Sequence, residues 1–108
     1  MNIENLKSQM RKGMLEFCIL MIVSRRAAYA SELIARLKEA RLIVVEGTLY
    51  PLLTRLKNDG MLTYHWEEST AGPPRKYYEI TTLGRQFLEQ LSRAWDELGD
   101  TVAHLRNE

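Results

Sequence analysis

Polar and basic side chains occur at two places in the sequence where they could contact a polyanion. One is the segment 46–58, in which Tyr50 and Thr54 stand among regularly spaced leucines. The other is the adjacent pair Arg75 and Lys76, which follows a Gly-Pro-Pro turn. Hydroxyl groups can bond to base edges, while adjacent basic residues mainly neutralise phosphates. These residues indicate a surface suited to nucleic acid, provided that the fold brings them to one side.

The sequence carries none of the residue patterns typical of an enzyme. It has no nucleophile beside a base and no glycine-rich phosphate loop. His65 and His104 are too few and too far apart to indicate a metal site. The lone cysteine, Cys18, is interpreted as an inert core residue, with a redox sensor as the alternative. We therefore expect no catalytic residue, no metal and no cofactor.

Length and composition indicate one folded unit without a membrane span. The chain has 108 residues, 45% of them hydrophobic, which suffices for one core. Its longest apolar stretch, 14–23, contains Glu16 and is far shorter than the ~20 residues that a span needs. A lone cysteine fits a reducing compartment, and no secretory leader precedes the first amphipathic segment. These features predict a cytoplasmic protein associated with the nucleoid.

Charge is distributed unevenly along the chain, although the whole carries only +1. Residues 1–83 contain 12 basic and 9 acidic side chains, whereas residues 84–108 contain 3 and 5. Many DNA-binding domains are far more basic than this. The asymmetry nevertheless favours an N-terminal body that binds DNA and a separate C-terminal element.

Apolar residues at helical spacing predict a long first helix from Asn2 to Ser24. Ser31 is expected to cap a second helix, whose leucines form an inward stripe. The link 42–45 is rich in β-branched residues and is interpreted as a connection that could pair, as a short strand, with the later hairpin.

The third helix has two faces of opposite character. Its four leucines recur at i, i+3, i+4 and i+7 and share one face, namely Leu49, Leu52, Leu53 and Leu56. The residues that point the opposite way are Gly47, Pro51, Thr54 and Asn58, flanked by Tyr50 and Arg55. Because Pro51 has no N–H, the helix is expected to begin close to Thr48, with Tyr50 in its first turn.

Two strands are predicted after this helix, because apolar and polar residues alternate at 62–67 and 77–80. The loop 69–74 between them is expected to turn without regular pairing, given its glycine and two prolines. Arg75 and Lys76 lie at its exit, where a hairpin tip could meet phosphates, with solvated charge as the alternative. The hairpin is interpreted as a wing.

The last helix, from about Thr81 to Arg106, has apolar residues at alternating steps of three and four, which is a heptad pattern. The seam consists of Leu91, Trp95, Leu98, Val102 and Leu105. A terminal helix that follows a complete domain has little intramolecular surface to cover, so a second copy is the expected partner. The alternative is that the seam folds back on the first helix of the same chain.

These elements predict a mainly α fold with a small β-hairpin (α+β), a winged helix-turn-helix with a C-terminal dimerisation helix. Residues 1–82 would form the DNA-binding domain, whose N-terminal helix also packs at the dimer interface. Residues 83–108 would form the dimerisation helix. In such a fold the N-terminal turn of the recognition helix reaches base edges in the major groove.

Four short segments resemble the PadR family of bacterial transcriptional regulators. They are Gly47-Thr48-Leu49-Tyr50-Pro51, Arg55-Leu56 with Asp59-Gly60, Arg75-Lys76-Tyr77-Tyr78, and Thr81 with Gly84. The resemblance spans about 6–105 and is greatest to the short subclass with a single C-terminal helix, which includes repressors of multidrug pumps. The chain departs from the family at Ala30 and Ser31, where a Gly-Tyr pair is usual.

The resemblance implies a homodimeric repressor that binds an operator in double-stranded DNA, with the third helix in the major groove and the wing on the flanking backbone or minor groove. The expected DNA-binding residues are Gly47, Thr48, Tyr50, Pro51, Thr54, Arg55, Lys57, Gly72, Arg75 and Lys76. Ser31 is a further candidate, although the role of the tyrosine usual at its position cannot be carried over to it. In some members of the subclass, a tryptophan like Trp95 stacks on planar drugs between the paired C-terminal helices.

A planar aromatic or cationic ligand is therefore an expected partner, at Trp95 with Met10, Met14 and Phe17. Simple dimer packing by Trp95 is the alternative. A second hypothesis for the whole chain is a winged-helix module that binds protein or RNA and senses no ligand.

Overall fold

The computed structural model describes residues 1–108 and contains five helices and three strands. In chain order these are α1 (Ile3–Lys12), α2 (Met14–Arg25), β1 (Ala28–Tyr29), α3 (Ala30–Glu39), α4 (Glu46–Asn58), β2 (Leu62–Ser69), β3 (Gly72–Ile80) and α5 (Thr82–Arg106). The predicted α+β class is confirmed. No helix combines the length and the apolar character needed to cross a bilayer.

One hydrophobic cluster joins the helices to the sheet. Its fully buried members include Ile19, Leu20, Leu33, Leu37, Leu49 and Leu53. Because α2, α3 and α4 each contribute to it, their amphipathic stripes are satisfied within the chain. Leu62 and Tyr78 add the inner face of the hairpin to the same cluster.

The predicted single N-terminal helix is wrong in one respect, because Gly13 divides it into α1 and α2. The backbone N–H of Gly13 donates to the carbonyl of Arg11 and closes α1. Gly13 has no Cβ and a low helix propensity, which favours an interruption at this position. None of the α1 residues is buried, whereas α2 lies in the core.

Two further expectations near α3 are corrected. The helix begins at Ala30 with Tyr29 as its N-cap and no side-chain cap, so Ser31 lies inside the first turn rather than capping it. The link 42–45 forms no strand; instead Ala28 and Tyr29 pair with β3. The backbone of 28–29 reaches β3 first and occupies the edge that the link was expected to take.

Helix α4 begins at Glu46, two residues before the predicted start near Thr48. Tyr50 is therefore in the second turn, and Pro51 lies inside the helix. Pro51 cannot donate a hydrogen bond to the carbonyl of Gly47, so the helix tolerates one missing bond near its start. The helix ends as predicted, with Gly60 at φ 80°.

The sheet is antiparallel throughout, in the order β1-β3-β2. Thr63 pairs with Glu79 and Glu67 with Arg75, and pairing resumes at Ser69 and Gly72 after an irregularity. The expectation that the whole loop 69–74 forbids pairing is therefore wrong. The prolines are accommodated in the irregularity, where β3 has one residue more than β2.

Thr81 connects the wing to α5. Its side chain accepts from the N–H of Gly84 at 2.9 Å and donates to the carbonyl of Gly60 at 2.6 Å. Gly84 is needed at this contact, because a Cβ there would overlap the carbonyl of Met61. The first turns of α5 pack against α2, and every residue from Arg93 onward is exposed.

Candidate nucleic-acid interface

The outer face of α4 is a continuous exposed surface. Because Leu49, Leu53 and Leu56 are buried on the opposite face, the intervening residues are directed away from the core. The exposed residues of α4 are Glu46, Gly47, Thr48, Tyr50, Pro51, Thr54, Arg55, Lys57 and Asn58. Hydroxyl and phenol groups on such a face can donate to and accept from base edges without disturbing the core.

A groove of about 330 Å³ lies where the start of α3, the outer face of α4 and the wing meet. It is lined by Tyr29, Ala30, Ser31, Glu46, Tyr50, Trp66, Pro74, Arg75, Lys76 and Tyr78. Four of the predicted DNA-binding residues, from three separate elements, thus surround one space. These are Ser31, Tyr50, Arg75 and Lys76.

Aromatic rings hold the two adjacent basic side chains of the wing on opposite faces of the sheet. The guanidinium carbon of Arg75 lies 4.5 Å from the ring centre of Tyr29. The ammonium of Lys76 lies 3.9 Å from the ring centre of Tyr64, and the ammonium of Lys57 lies 5.8 Å from the same ring. Such cation–π contacts restrict a flexible cation without neutralising its charge. The wing therefore presents positioned positive charge.

These aromatic supports were missed in the sequence, although its alternation contained the signal. Residues two apart in a strand share a face, so Tyr64 had to lie beside Trp66. Cross-strand pairing then places Tyr78 opposite Tyr64 and Lys76 opposite Trp66. The alternation alone did not predict the register between β2 and β3.

Arg55 occupies a different position from the other predicted contacts. Its guanidinium donates to the carboxylate of Glu16 in α2, with 2.5 Å between the two atoms. An arginine held in this way braces α4 against α2. Its charge is partly compensated, which leaves Lys57 and the wing cations as the free positive groups on this side.

Six of the ten residues that line the groove were not predicted as contacts, and two of these six, Glu46 and Trp66, could contact bases. Glu46, the first residue of α4, places a carboxylate beside Tyr50 and the basic wing. Trp66 contributes an indole that is 62% exposed. A carboxylate can accept a hydrogen bond from a cytosine amino group, and an indole offers a flat apolar surface.

Three titratable groups, one of them in the groove, have perturbed pKa values. A hydrogen bond to Glu67, 2.6 Å from Nε2, raises the pKa of His65 above its usual value, and Glu79 adds to the effect. Burial raises the pKa of Tyr78, as does the neighbouring Tyr64. Burial also raises the pKa of the Cys18 thiol, which makes a reactive thiolate less accessible. No cluster of metal-ligating side chains is present.

The predicted seam of α5 is divided into two parts. Leu91 is half-buried and packs on the core of its own chain, together with Phe87 and Leu88. The remaining seam residues are between 47% and 62% exposed, namely Trp95, Leu98, Val102 and Leu105. The start of the heptad pattern thus folds back within the chain, as the alternative interpretation held, while the rest has no covering.

The residues expected around a planar ligand also differ in their exposure to solvent. Met10 is 76% exposed and Met14 is half-buried, whereas Phe17 is buried in the core. The Phe17 side chain is therefore a packing residue of α2, because its ring is already covered by the same chain. Trp95 and Met10 remain as accessible apolar groups.

An exposed polar helix beside a basic two-stranded wing defines a winged helix-turn-helix, and known proteins place the chain within that class. Residues 19–90 match the Transcriptional regulator PadR-like family, and the chain belongs to this family. Its members regulate transcription and bind DNA.

Solved structures agree with this assignment. The chain is similar to a PadR-like transcription factor from Bacteroides fragilis, with 64% identity, a TM-score of 0.78, and coverage of 94% of this chain and 98% of that one. A PadR-like regulator from Bacillus cereus is 40% identical, with a TM-score of 0.81 and coverage of 90% and 95%. A transcriptional regulator of Mycobacterium tuberculosis is 41% identical over 59 residues, 55% of this chain and 54% of that protein.

Proposed function

We propose that the protein is a homodimeric repressor that binds a pseudo-palindromic operator through α4 and the wing. The observation that carries this proposal is the groove in which Ser31, Tyr50, Arg75 and Lys76 come together. In this arrangement α4 enters the major groove, where Tyr50 and Thr54 face base edges. Arg75, Lys76 and Lys57 meet phosphates, which supply most of the sequence-independent affinity.

The dimer is proposed to form through residues 83–108, with residues 1–82 as the DNA-binding domain and α1 also at the interface. Support comes from the uncovered apolar residues of the second half of α5 and from α1, none of whose residues is buried. A two-fold pair of these surfaces would bury both sets. It would also place two copies of α4 at a fixed separation, as a palindromic operator requires.

Release of the operator is proposed to follow binding of a planar aromatic or cationic ligand between the two copies of Trp95. The Trp95 side chain is 51% exposed at the middle of α5, and Met10 and Met14 offer adaptable apolar contacts. Two indoles related by symmetry can enclose a flat ring. A ligand there would act on both DNA-binding domains at once, with a coupling of about 1–3 kcal/mol.

In vitro selection from a random duplex DNA library tests the DNA proposal. We expect a pseudo-palindrome whose half-site centres lie about 34–36 Å apart, or a multiple of that distance. Thr54→Ala should weaken binding to the selected duplex, while Thr101→Ala, on α5 and away from the groove, should leave it unchanged. Selection of a single asymmetric half-site would contradict the proposal.

The same selection with structured RNA addresses the alternative of a protein- or RNA-binding module. Enrichment of RNA without enrichment of any duplex DNA would favour that alternative. Enrichment of neither would favour a protein partner for the winged helix.

Quenching of tryptophan fluorescence by ethidium tests the ligand proposal in the absence of DNA. The wild-type protein contains Trp66 and Trp95, so Trp95→Ala leaves Trp66 as an internal control. We expect saturable quenching in the wild type and its loss in Trp95→Ala. Saturable quenching that persists in Trp95→Ala would assign Trp95 to dimer packing.

A further inference from the structure

A second cavity lies between α2, α3 and the turn that follows α3. Its volume is about 540 Å³, within the range of small-molecule sites. The lining residues are Met14, Cys18, Met21, Ile22, Arg25, Arg36, Leu37, Ala40 and Leu42. None of them belongs to α4 or the wing, so this cavity is separate from the proposed nucleic-acid interface.

The lining specifies an aliphatic guest. Apart from Arg25 and Arg36, every lining residue is hydrophobic, and none is aromatic. A flat ring would find no stacking partner here. Met14 and Met21 are flexible and polarisable, and such side chains adapt to an irregular or variable apolar chain.

Two guanidinium groups at the cavity favour a negatively charged ligand. Arg25 is in the last turn of α2 and Arg36 is in α3, and both line the cavity. Neither forms an ion pair with an acidic residue of the chain, because the ion pairs involve other side chains. No acidic residue lines the cavity either. Two uncompensated guanidiniums beside an apolar space suit a carboxylate, which they can bind with paired hydrogen bonds.

The turn after α3 borders the cavity, and one of its residues has a left-handed backbone conformation. Arg41, between the lining residues Ala40 and Leu42, has φ 67°, a left-handed conformation that non-glycine residues seldom adopt. The N–H of Leu42 donates to the carbonyl of Leu37 at 2.8 Å and fixes this wall. The chain then continues directly to α4, so the turn connects the cavity to the helix at the DNA-facing surface. The N–H of Arg41 also donates to the carbonyl of Lys38 at 2.9 Å, so the turn has the two hydrogen bonds of a common helix C-terminal motif.

We propose that this cavity binds a medium-chain aliphatic carboxylate. Its chain lies among Met14, Met21 and Leu42, and its carboxylate accepts hydrogen bonds from Arg25 and Arg36. The site shares Met14 with the planar-ligand site proposed at Trp95, but its two guanidinium groups suit an anionic guest rather than a cationic one. Binding requires only the cavity, so the proposal does not depend on the chain acting as a repressor.

Isothermal titration calorimetry with decanoate provides the direct test, using decyltrimethylammonium as a probe of equal chain length and opposite charge. We expect one decanoate per chain and binding of the cation weaker by about ten-fold or more, the value of one charge-assisted hydrogen bond. Equal binding of the two probes would reduce the site to an apolar surface, and no binding of decanoate would overturn the proposal.

Variants distinguish the cavity from other surfaces. Arg36→Gln should weaken decanoate binding by about ten-fold, whereas Arg93→Gln, an exposed arginine of α5, serves as the matched control and should have no effect. Ala40→Phe should abolish binding by filling the cavity, and its circular dichroism spectrum reports whether the fold is retained. Unchanged decanoate affinity in both Arg36→Gln and Ala40→Phe would place the guest elsewhere and overturn the assignment.

Cys18 supplies an independent readout, because it is the lone cysteine and lines the cavity. Decanoate should slow modification of Cys18 by N-ethylmaleimide, measured by mass spectrometry. Decyltrimethylammonium at the same concentration should not. If decanoate bound only to Leu98→Asp and not to the wild type, the cavity would be covered by a second copy, and the proposal would be wrong.

Discussion

Helix α4 and the second half of α5 carry similar spacings of apolar residues but expose opposite surfaces. In α4, Leu49 and Leu53 are 0% exposed, and most of the exposed side chains are polar. In α5, Leu98 is 62% exposed and Leu105 is 60% exposed. The same sequence pattern thus produces a covered stripe in one helix and an uncovered stripe in the other.

The exposed surface of each helix indicates which kind of partner it can bind. A helix whose apolar face is already buried presents only its polar face, which suits a hydrated, charged partner such as DNA. A helix whose apolar face is uncovered gains free energy by burying it, and a second copy offers a matching surface. The local apolar pattern identifies both helices, but only the packing of the remaining chain separates their roles.

The largest expected effect comes from Leu98→Asp. A carboxylate in a buried apolar seam is disfavoured by several kcal/mol unless it is paired or neutralised. Sedimentation should therefore show a monomer. Ala103→Asp introduces the same charge outside the seam and should remain dimeric. A dimer in both variants would move the interface away from α5.

Truncation of Leu53 and Leu98 is compared in a background made monomeric by Val102→Asp, a substitution at another exposed seam position. Leu53→Ala should lower the free energy of unfolding by about 2–5 kcal/mol, because it leaves a cavity in the core. Leu98→Ala, at an exposed position in the same background, should change it by less than about 0.5 kcal/mol. Urea denaturation measures both values. Similar losses would show that Leu98 is covered within one chain.

Lys76→Ala tests whether the wing meets phosphates. The substitution should weaken binding to all duplex sequences similarly and reduce the slope of log affinity against log salt by about 1. Lys38→Ala, an exposed lysine in the last turn of α3 and outside the groove, is the matched control. Loss confined to one base position, with the salt slope unchanged, would assign Lys76 to base recognition.

The smallest effect is expected at His65, on the outer face of the wing. This residue belongs neither to the DNA-facing surface of α4 nor to the apolar seam of α5. The hydrogen bond that His65 donates to the carboxylate of Glu67 raises the folded-state pKa of His65 above 6.5. The contribution of this hydrogen bond to the free energy of unfolding is therefore fully present below the unfolded-state pKa of His65. It is lost as the pH rises through the folded-state pKa. In an NMR titration, Glu67→Gln should lower the midpoint of His65. An unchanged midpoint would show that the Glu67 contact does not persist in solution.

The sequence predicted the elements better than their connections. Periodicity located α3, α4, the hairpin and α5, because each carries an apolar stripe of the matching period. It missed the break at Gly13, since a single glycine at ordinary dihedral angles leaves the apolar spacing intact. It also missed β1, because two residues are too few to show a period.

The candidate interface was predicted in its residue types but not in its arrangement. Tyr50 and Lys76 followed from their position beside apolar stripes and turns. The ion pair of Arg55 with Glu16 did not, because the two residues are 39 positions apart and meet only when α4 packs on α2. The same holds for Glu46, whose place in the groove depends on how the wing folds over the start of α4.

Helix α4 is proposed to bind DNA and α5 to bind a second copy, so loss of DNA binding should leave the dimer intact, whereas loss of the dimer should weaken operator binding. Sedimentation velocity with a labelled selected duplex tests it for the wild type, the double variant Tyr50→Ala and Thr54→Ala, and Leu98→Asp. We expect two chains per duplex for the wild type, a dimer without specific DNA binding for the double variant, and a folded monomer with weakened operator binding for Leu98→Asp. If the double variant bound the duplex as the wild type does, α4 would not be the DNA-reading helix and the account would be wrong.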